Sequence, residues 1–379
     1  MHALQVNFFL DGRRSPRDIL RDWQGLRDVA VAVAVAVAGS RISVIQACSV
    51  EQTLHEDGVD FHFMPPVAPG VPLTRAPKFL RLFTRLAPDV AHVHGLGFPR
   101  EVQDLHAIAP HMPILLQDHA NRVPRFWKRM AWRRALADCA AVTFCARSQA
   151  DPFRAARLLP GHVDIFEIPE STSSFQPGDV AAARAHTGMH GDPAVLWVGH
   201  LDSNKDPLTI LEAVSIARRS LPGLQLWCCF GSAPLREAVE ARIARDEALR
   251  DCVHLLGRVS HEQVEMLMRS ADLFVLGSHR EGSSFSLIEA LATGLTPVVS
   301  DIPSLRVLTG NAVVGAMFPP GDAAACADAL LRATRWLQPA SRQLVRAYFD
   351  GHLSHRAIGR QFAAAYEHIR GGVHSEAVA

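Results

Sequence analysis

The chain has 379 residues, of which 48% are hydrophobic and 20% are charged. Its formal net charge of +1 excludes a global electrostatic attraction to nucleic acid, so an anionic ligand has to be bound by a local group of residues. This length predicts two domains, because a single hydrophobic core rarely grows beyond about 250–300 residues.

The seven cysteines are odd in number and show no C-x-x-C spacing, which argues against a disulfide framework and against a zinc site. No segment has the pattern of a signal peptide, and the longest smooth apolar run, residues 29–39, is too short to cross a bilayer. We therefore expect a cytoplasmic protein without a transmembrane segment, for which peripheral contact with the inner membrane face stays open.

Apolar runs in the first half of the chain alternate with arginine-rich amphipathic segments, which predicts a parallel sheet covered by helices. The strand candidates are residues 3–10, 41–47, 62–67, 89–95, 112–118, 140–146 and 163–169. Residues 29–38 read VAVAVAVAVA, an alternation that also fits a strand turning at Gly39. We predict a helix there, because the first βα unit needs a crossover and Gly39 suits the position after a helix end.

A stretch rich in Pro, Ser and Thr, residues 169–179, predicts a linker between the domains. Beyond it, strand candidates again alternate with helical segments, at residues 194–198, 224–230, 253–256, 272–276, 296–300 and 312–318. We predict an N-terminal domain over residues 1–172 and a C-terminal domain over 180–350, each a doubly wound, Rossmann-like α/β domain, facing a central cleft. An amphipathic helix at about 354–372 is expected to pack back on the first domain.

Two glutamates flank a predicted junction between a strand and a helix, in the sequence REGSSFSLIEALATG from residue 280 to 294. Ligands of open parallel sheets bind at such junctions, and the N–H groups of a helix start suit a phosphate. Glu281 in the loop and Glu289 in the helix, roughly 10 Å apart, fit hydroxyl groups at two ends of an elongated ligand. The alternative is structural, because Ser286 and Glu289 also form the S-x-x-E pattern of a capping box and Glu281 fits a solvated loop.

A second such junction, GHLDSNKDPLTILEAV, follows the strand candidate at 194–198. Asp206 is predicted to cap its helix, with Pro207 in the first helical position. Only three lysines occur in the chain, and Lys205 is one of them. It is predicted to lie at the same sheet edge as Glu281, where its ammonium group can reach a phosphate. The alternative is an ordinary surface lysine.

These segments, with CCFGSAPL, VHLLGRVSHEQVEMLMRSADLFVL and FPPGDAAACADAL, resemble the donor domain of family 4 glycosyltransferases over residues 190–330. Those enzymes are retaining, have the GT-B fold and use nucleotide-diphosphate sugars, and the N-terminal half is similar to them mainly in architecture. The resemblance implies that Glu281 and Glu289 are the E-x7-E pair, near the donor hexose and on the ribose hydroxyls. It also implies that Lys205 binds phosphate and that Arg258 lies where the family's backbone meets the nucleobase. Backbone N–H groups would bind the hexose and the diphosphate from Gly282, Ser283, Ser284, Phe285, Ser286 and Leu287.

Two departures from the family pattern concern charge. His200 stands where the family usually has arginine, so donor affinity is expected to fall as pH rises. The family's Gly-Gly loop after the first strand is replaced by LDGRRSPRD. Its Arg13 and Arg14 are candidates for binding an anionic acceptor, with a merely solvated loop as the alternative.

Three histidines follow strand candidates of the first half. His119 ends a strand where relatives carry a histidine that faces the donor sugar, so the resemblance implies a catalytic role. His92 and His94 end a neighbouring strand and are candidates for the acceptor side. Each of the three has a structural role as its alternative.

The sequence thus predicts a retaining hexosyltransferase that moves a sugar from a nucleotide diphosphate to a hydroxyl acceptor: a glycan, a lipid-linked sugar or a small molecule. Lys205, His200 and the helix start at Ser286 would stabilise the departing diphosphate without a metal or another cofactor, while Glu281 would stabilise oxocarbenium character. Two alternatives keep the same fold, a nucleotide-sugar epimerase or synthase, and a degenerate subunit that binds a partner without turnover.

Overall fold

Two α/β units make up the part of the chain that the computed structural model describes, residues 1–22 and 24–376. Residues 1–172 and the C-terminal segment from residue 355 form the first unit, and residues 173–354 form the second. The chain therefore leaves the first unit once and returns to it near its C-terminal end.

The first unit is built on one sheet that is parallel apart from its edge strand β3. Its strands are β1 (His2–Asp11), β2 (Arg41–Cys48), β3 (Gln52–Glu56), β4 (Val59–Met64), β5 (Val90–His94), β6 (Ile114–Gln117), β7 (Ala141–Phe144) and β8 (Asp164–Glu167). They lie in the order β3-β4-β2-β1-β5-β6-β7-β8, so the direction of winding reverses between β1 and β5. The helices that precede residue 172 are α1 (Pro16–Asp22), α2 (Gln24–Ala36), α3 (Pro77–Leu86), α4 (Pro99–Ile108), α5 (Arg129–Ala137) and α6 (Asp151–Ala155).

The alternating Val and Ala residues form helix α2, which confirms the prediction. A helix that is apolar all round has to be buried on more than one side, and Val29, Ala30 and Val33 are fully buried. Gly39, which follows the helix, has φ +78° and adopts the left-handed conformation expected after a helix end.

The strand β3 was not predicted from the sequence. It pairs antiparallel with β4 through a turn at Asp57 and Gly58, whose φ angles are +51° and +79°. Positive φ at both central residues is the geometry that Asp-Gly favours in two-residue hairpins. The dipeptide was therefore the signal that the prediction missed.

The second unit contains an all-parallel sheet. Its strands are β9 (Ala194–Gly199), β10 (Gln225–Phe230), β11 (Val253–Gly257), β12 (Leu273–Leu276), β13 (Thr296–Ser300) and β14 (Ala316–Phe318). Their order, β11-β10-β9-β12-β13-β14, is that of a doubly wound sheet whose winding reverses between β9 and β12. Its helices are α7 (Val180–Thr187), α8 (Pro207–Ala217), α9 (Arg236–Ala244), α10 (Glu247–Arg250), α11 (His261–Ser270), α12 (Phe285–Ala292), α13 (Pro303–Thr309), α14 (Ala323–Ala333) and α15 (Pro339–His352).

The strand predicted over residues 312–318 is shorter than expected. Ala312 has φ +63°, and β14 begins only at Ala316. At Gly315, a Cβ would lie 2.1 Å from the carbonyl oxygen of Pro297. The chain therefore passes this point in a turn that only glycine allows, and extended structure starts after it.

Helix α16 (His355–Glu376) belongs to the first unit and packs along α2. A Cβ at Gly359 would lie 1.9 Å from the carbonyl oxygen of Ala32, so the close approach of the two helices requires glycine there. Residues 348–352, just before this helix, end α15. Among the described residues, none of the helices combines the length and the apolar character that a bilayer crossing requires.

Candidate active site

The carboxyl ends of β9 and β12 lie side by side where the winding of the second sheet reverses, the position at which open α/β sheets bind ligands. Hydrogen bonds join the two loops that start there. The backbone N–H of His279 donates to the carbonyl oxygen of Asn204 at 2.8 Å, and the Asn204 side chain donates to the carbonyl oxygen of Arg280 at 2.9 Å. The backbone on either side of the functional residues is therefore fixed.

Lys205 and Glu281 form an ion pair across these loops. Their side chains are only 16% and 12% exposed, so neither is the solvated surface residue of the structural alternatives. The Asp202 carboxylate accepts the backbone N–H of Lys205 at 2.9 Å and thereby orients the loop. The rare lysine and the loop glutamate, far apart in sequence, thus meet at the sheet edge.

Helix α8 starts as predicted. Asp206 precedes it in a left-handed conformation, with φ +47°, and accepts the backbone N–H of Thr209 at 3.3 Å, while Pro207 is the first helical residue. The Nε2 atom of His279 lies 2.9 Å from the same carboxylate. This cap ties the start of α8 to the loop after β12.

The structural alternative for Ser286 and Glu289, a capping box, does not form. Helix α12 begins at Phe285, so Ser284 precedes the helix and Ser286 lies inside its first turn. A capping box requires its serine at the position before the helix. Glu289 is the fifth helical residue, not a residue of the first turn, and it has another partner.

That partner is His261, the first residue of α11. Its Nε2–H donates to Oε1 of Glu289 at 2.7 Å. This hydrogen bond raises the pKa of His261 and outweighs the opposing effect of burial. The ring of Phe175 packs against the imidazole, with 4.5 Å between ring centroids. The hydrogen bond and the ring contact thus fix the Glu289 side chain beside His261.

The start of α12 supplies the backbone groups predicted to bind a diphosphate. The first N–H groups of a helix have no acceptor within the helix, and they carry the positive end of its dipole. Ser283, Ser284 and Leu287 are buried, whereas the side chain of Phe285 is exposed. Gly282 is buried as well, so this loop follows the sheet edge closely.

His200, Gly231 and Arg258 lie in the loops after β9, β10 and β11, respectively, and the two side chains flank Gly231. The backbone N–H of Ser232 donates to Nδ1 of His200 at 3.1 Å. A Cβ at Gly231 would lie 3.5 Å from the His200 ring and 3.8 Å from the Arg258 guanidinium. Because Nδ1 accepts a hydrogen bond, His200 can offer Nε2–H to a ligand, and an imidazolium would lose the bond to Ser232.

In the first unit, His119 lies at the end of a chain of hydrogen bonds. Its Nδ1 atom is 2.7 Å from the Glu170 carboxylate, and its Nε2 atom is 3.2 Å from Nδ1 of His94. The Nε2 atom of His94 is in turn 3.1 Å from the side-chain oxygen of Gln5. Both ring nitrogens of His119 are thus engaged within this unit.

The pKa directions of His119 and His94 indicate which atom donates in each of these hydrogen bonds. Burial opposes a charge on His119, but the hydrogen bond and the charge of Glu170 outweigh it and raise the pKa of His119. Burial, with His92 and His119 nearby, holds the pKa of His94 well below its usual value. His119 therefore donates to both Glu170 and His94, and neutral His94 donates to Gln5.

His92 and His94 lie inside the first unit, which fits their structural alternative. Both are buried, and their rings stack with 4.6 Å between centroids. His92 Nδ1 is 2.7 Å from the hydroxyl of Tyr366, and burial lowers the pKa of His92 to about 3. A direct acceptor contact by His94 would have to break its bonds to His119 or Gln5.

The two arginines after β1 are tied to the aspartate that ends this strand. Arg14 forms an ion pair with Asp11, and the backbone N–H of Arg13 donates to the same carboxylate at 2.9 Å. The Arg13 backbone bond, with Arg14, holds the pKa of Asp11 below its usual value. The side chain of Arg13 stays exposed at this edge of the first sheet.

Residues 181–336 match the family model described as glycosyl transferases group 1. This chain carries a group 1 glycosyltransferase domain. The match covers the second unit from α7 to the end of α14, and it confirms the resemblance seen over residues 190–330.

Curated relatives of this glycosyltransferase domain act in different contexts. The chain is 26% identical over 250 residues to a GDP-mannose:cellobiosyl-diphosphopolyprenol alpha-mannosyltransferase of Xanthomonas campestris, a match that covers 64% of this chain and 63% of the relative. It is also 26% identical to an alpha-D-kanosaminyltransferase of Streptomyces kanamyceticus, over 62% of this chain and 61% of the relative. The matched region thus spans less than two thirds of each relative.

Solved structures show the fold over nearly the whole chain. A sucrose-phosphate synthase of Thermosynechococcus elongatus superposes with a TM-score of 0.71 at 19% identity, covering 98% of this chain and all of that one. HepE of Anabaena, solved in complex with UDP, gives a TM-score of 0.70 at 16% identity, covering 97% and 100%. The prediction of a GT-B fold is confirmed.

Sequence reasoning missed one partner of a candidate residue in each unit. His261 lies 28 positions before Glu289, and only its place after Ser260 in a capping box fixed it at a helix start. Glu170 was assigned to the linker, although it is buried and holds His119. The described residues contain no group of three or more His, Cys, Asp or Glu side chains arranged to hold a metal ion.

Proposed function

We propose that this protein is a retaining glycosyltransferase that moves a sugar from a nucleotide diphosphate to a hydroxyl group of an acceptor. One observation carries the proposal: the Lys205–Glu281 ion pair lies at the reversal point of the second sheet, where the loops that lead into α8 and α12 meet. This combines a cation, a carboxylate and the backbone N–H groups of a helix start in a domain of the glycosyltransferase family.

The diphosphate binds at the N-terminus of α12. The N–H groups of Phe285, Ser286 and Leu287 meet its oxygens, and the dipole of the helix favours its charge. Lys205 adds an ammonium group, and His200 adds Nε2–H. These groups stabilise the charge that develops as the bond between the anomeric carbon and the phosphate oxygen breaks. No metal ion is assigned to this step.

The two glutamates hold the two sugars of the donor. Glu281, with the N–H groups of Gly282, Ser283 and Ser284, faces the transferred hexose and stabilises positive charge at its anomeric carbon. Glu289 accepts hydrogen bonds from the ribose hydroxyls, and His261 keeps it ionised for this role.

The acceptor hydroxyl attacks the anomeric carbon from the face that the diphosphate leaves. A bond forms between its oxygen and that carbon, and its proton passes to the departing phosphate oxygen. Retention follows because attack and departure share one face. The relatives' names include a mannosyl transfer to a cellobiosyl-diphosphopolyprenol and a kanosaminyl transfer. We propose a glycan, lipid-linked or small-molecule hydroxyl as acceptor. A sugar contact by His119 would require Nε2 to exchange His94 for a hydroxyl oxygen.

Nucleotide binding tests the proposal without knowledge of the acceptor. UDP, GDP, ADP and TDP are added to wild type and to the Lys205→Ala and Glu289→Ala variants, and thermal unfolding is followed. A ligand at a hundredfold its Kd stabilises the folded state by about 2.7 kcal/mol, so one nucleotide should raise the Tm of wild type and neither variant should respond fully. Lys78→Ala is the matched control, because Lys78 is an exposed lysine of the first unit, paired with Glu51.

The outcomes separate the alternatives. If none of the four nucleotides stabilises wild type, the proposal is wrong and a partner-binding subunit takes its place. If a nucleotide binds and its sugar form is converted without any acceptor, the protein is an epimerase. If Lys78→Ala loses the response as well, the assay reports general destabilisation and not the proposed site.

A further inference from the structure

A strongly basic segment follows His119 in the first unit. Between His119 and Ala137 the chain carries basic side chains and no aspartate or glutamate, although its formal net charge is only +1. The basic residues are Arg122, Arg125, Lys128, Arg129, Arg133 and Arg134. We call residues 122–134 the basic segment.

The basic segment also exposes large apolar side chains. Phe126, Trp127 and Met130 are 76%, 57% and 58% exposed, so more than half of each residue's accessible surface faces water. The rings of Phe126 and Trp127 meet edge to face with 5.0 Å between centroids. The guanidinium of Arg125 lies 5.2 Å from the Trp127 ring. These side chains form a preassembled cluster of aromatic and cationic groups.

The opposite face of α5 anchors the segment. Trp132 and Leu136 are buried in the core of the first unit, and Trp132 stacks on Phe153. Burial of this face means that Phe126, Trp127 and Met130 are not needed to hold the helix in place. Their exposure is therefore a feature of the surface and not a sign of a loosely packed helix.

The positive charges of the segment are not neutralised by the protein. In the described part of the chain, none of the six basic side chains forms an ion pair with a carboxylate. Where they do make hydrogen bonds, the acceptors are carbonyl oxygens, Pro124 for Arg129 at 3.2 Å and Arg157 for Arg133 at 3.0 Å. The surface thus presents excess positive charge together with apolar groups.

We propose that the basic segment docks the first unit on an anionic lipid bilayer. Aromatic side chains settle at the level of the lipid headgroups, where an apolar body and a polar edge are both satisfied. Basic side chains nearby are attracted to anionic headgroups, each adding about a fivefold increase in affinity. A bilayer offers negative charge and apolar depth on one surface, which is the combination that exposed Phe126, Trp127 and Met130 among arginines require.

The membrane surface would lie beside the carboxyl edge of the first sheet. The basic segment begins three residues after His119, which follows β6 at that edge. Docking there would bring a membrane-borne hydroxyl acceptor to the sheet edge that carries His119 and Arg13. The docking itself does not depend on the proposed sugar transfer, and it is tested without any nucleotide.

Co-sedimentation of the full chain with lipid vesicles tests the proposal. Vesicles contain either phosphatidylcholine alone or phosphatidylcholine with phosphatidylglycerol in a ratio of roughly three to one, so that only the second kind is anionic. Wild type should bind the anionic vesicles and not the neutral ones. The Arg122→Gln, Arg125→Gln, Lys128→Gln triple variant should bind about a hundredfold more weakly, at about fivefold for each charge.

A second variant separates the aromatic contribution from the charges. Phe126→Ser with Trp127→Ser should weaken binding to the anionic vesicles while leaving all charges in place. Its matched control is Val313→Ser with Leu344→Ser, a pair in the second unit that is 65% and 60% exposed. Brominated phosphatidylcholine should quench fluorescence in wild type, and Trp127→Phe should lose that quenching. Unchanged Tm values would show that the variants still fold.

Three results would overturn the proposal. Binding of wild type to neither vesicle excludes a membrane partner. Equal binding to neutral and anionic vesicles excludes the role of the basic residues. Binding that survives in both variants of the basic segment, or that is lost equally in the Val313 and Leu344 control, places the membrane contact elsewhere on the chain.

Discussion

Replacement of Glu281 by glutamine should tighten the binding of a nucleoside diphosphate while it abolishes sugar transfer. In the structure the Lys205 ammonium is already paired with the Glu281 carboxylate. A diphosphate that binds the same ammonium must therefore approach a negative charge. Glutamine keeps the size of the side chain and removes that charge, so Lys205 becomes fully available to the phosphate.

The magnitude follows from the geometry of one ammonium group with two acceptors. Two oxygens, each about 2.8 Å from the nitrogen, lie about 5 Å apart. Unit charges at that distance repel by about 3 kcal/mol at an effective dielectric constant of about 20. Because the two side chains retain 16% and 12% exposure, water weakens this repulsion. We expect a net gain of about 1.4 kcal/mol, which is about tenfold in Kd.

The same substitution should destabilise the empty protein. Removal of one partner of a buried ion pair costs about 3–5 kcal/mol, whereas removal of both is often nearly neutral. Glu281→Gln should therefore lower the free energy of unfolding by about 3 kcal/mol, because the pair keeps some exposure. Lys205→Met with Glu281→Leu should recover much of that loss. The nucleotide should raise the Tm of Glu281→Gln by more than it raises that of wild type.

Isothermal titration calorimetry with the nucleoside diphosphate that stabilises wild type measures the affinity, and urea unfolding measures the stability. Glu281→Gln together with Lys205→Met is the control, since its binding should be weak in spite of the missing carboxylate. Weaker or equal nucleotide binding by Glu281→Gln alone would refute the reasoning. That result would mean that Glu281 supports the diphosphate site and does not compete for Lys205.

Three further predictions concern the Glu289–His261 pair, the Glu170–His119 pair and the contact between helices α2 and α16. Glu289→Gln should lower the pKa of His261. The stability that the raised pKa contributes is present below about pH 6.5 and is lost as pH rises through the folded pKa. Urea unfolding should therefore show a larger difference in unfolding free energy between wild type and the variant at low pH. Glu170→Gln should lower the pKa of His119, measured by NMR titration of its ring proton. Gly359→Ala should lower the free energy of unfolding by about 1–3 kcal/mol through overpacking, measured by chemical denaturation.

Each of these has a matched control in the chain. His261→Asn should remove the pH dependence on its own, and a persistent dependence in that variant would assign it to another group. Asp164→Asn removes a carboxylate beside a different histidine, His368, and should leave the titration of His119 unchanged. Gly371 lies in α16 with nothing within 4 Å of its Cβ position, so Gly371→Ala should be neutral or stabilising.

The architecture could be predicted from the sequence where burial dictates composition. Strands β9, β10, β12 and β13 are buried over most of their length and read as continuous apolar runs. Helix α2 was predicted in spite of its strand-like alternation, because a parallel pair of strands needs a crossover. Strand β3 is mostly exposed, and its five residues show no alternation of apolar and polar side chains. Only its turn residues could have revealed it.

The sequence identified candidate residues within single segments, but it did not show which residues from distant segments contact each other. The segment SSFS offers three serines near the start of α12, and nothing local shows that the helix begins after the second. The pairs Lys205–Glu281 and His261–Glu289 join residues 76 and 28 positions apart. Such pairs depend on the order of the strands, which local patterns do not contain.

Three mostly buried carboxyl groups each pair with a basic side chain. Glu281 has a lysine and Glu289 has a histidine, while in the first unit Glu170 has a histidine. Each pair keeps its polar groups partnered when no ligand is bound, because burying a charge without a partner costs free energy. We therefore propose that a diphosphate first contacts groups outside these pairs, which are the N–H groups at the start of α12 and the His200 side chain. In the proposed mechanism the diphosphate shares the Lys205 ammonium with Glu281, so the carboxylate is held less tightly, and can interact with the sugar, only when the leaving group is in place.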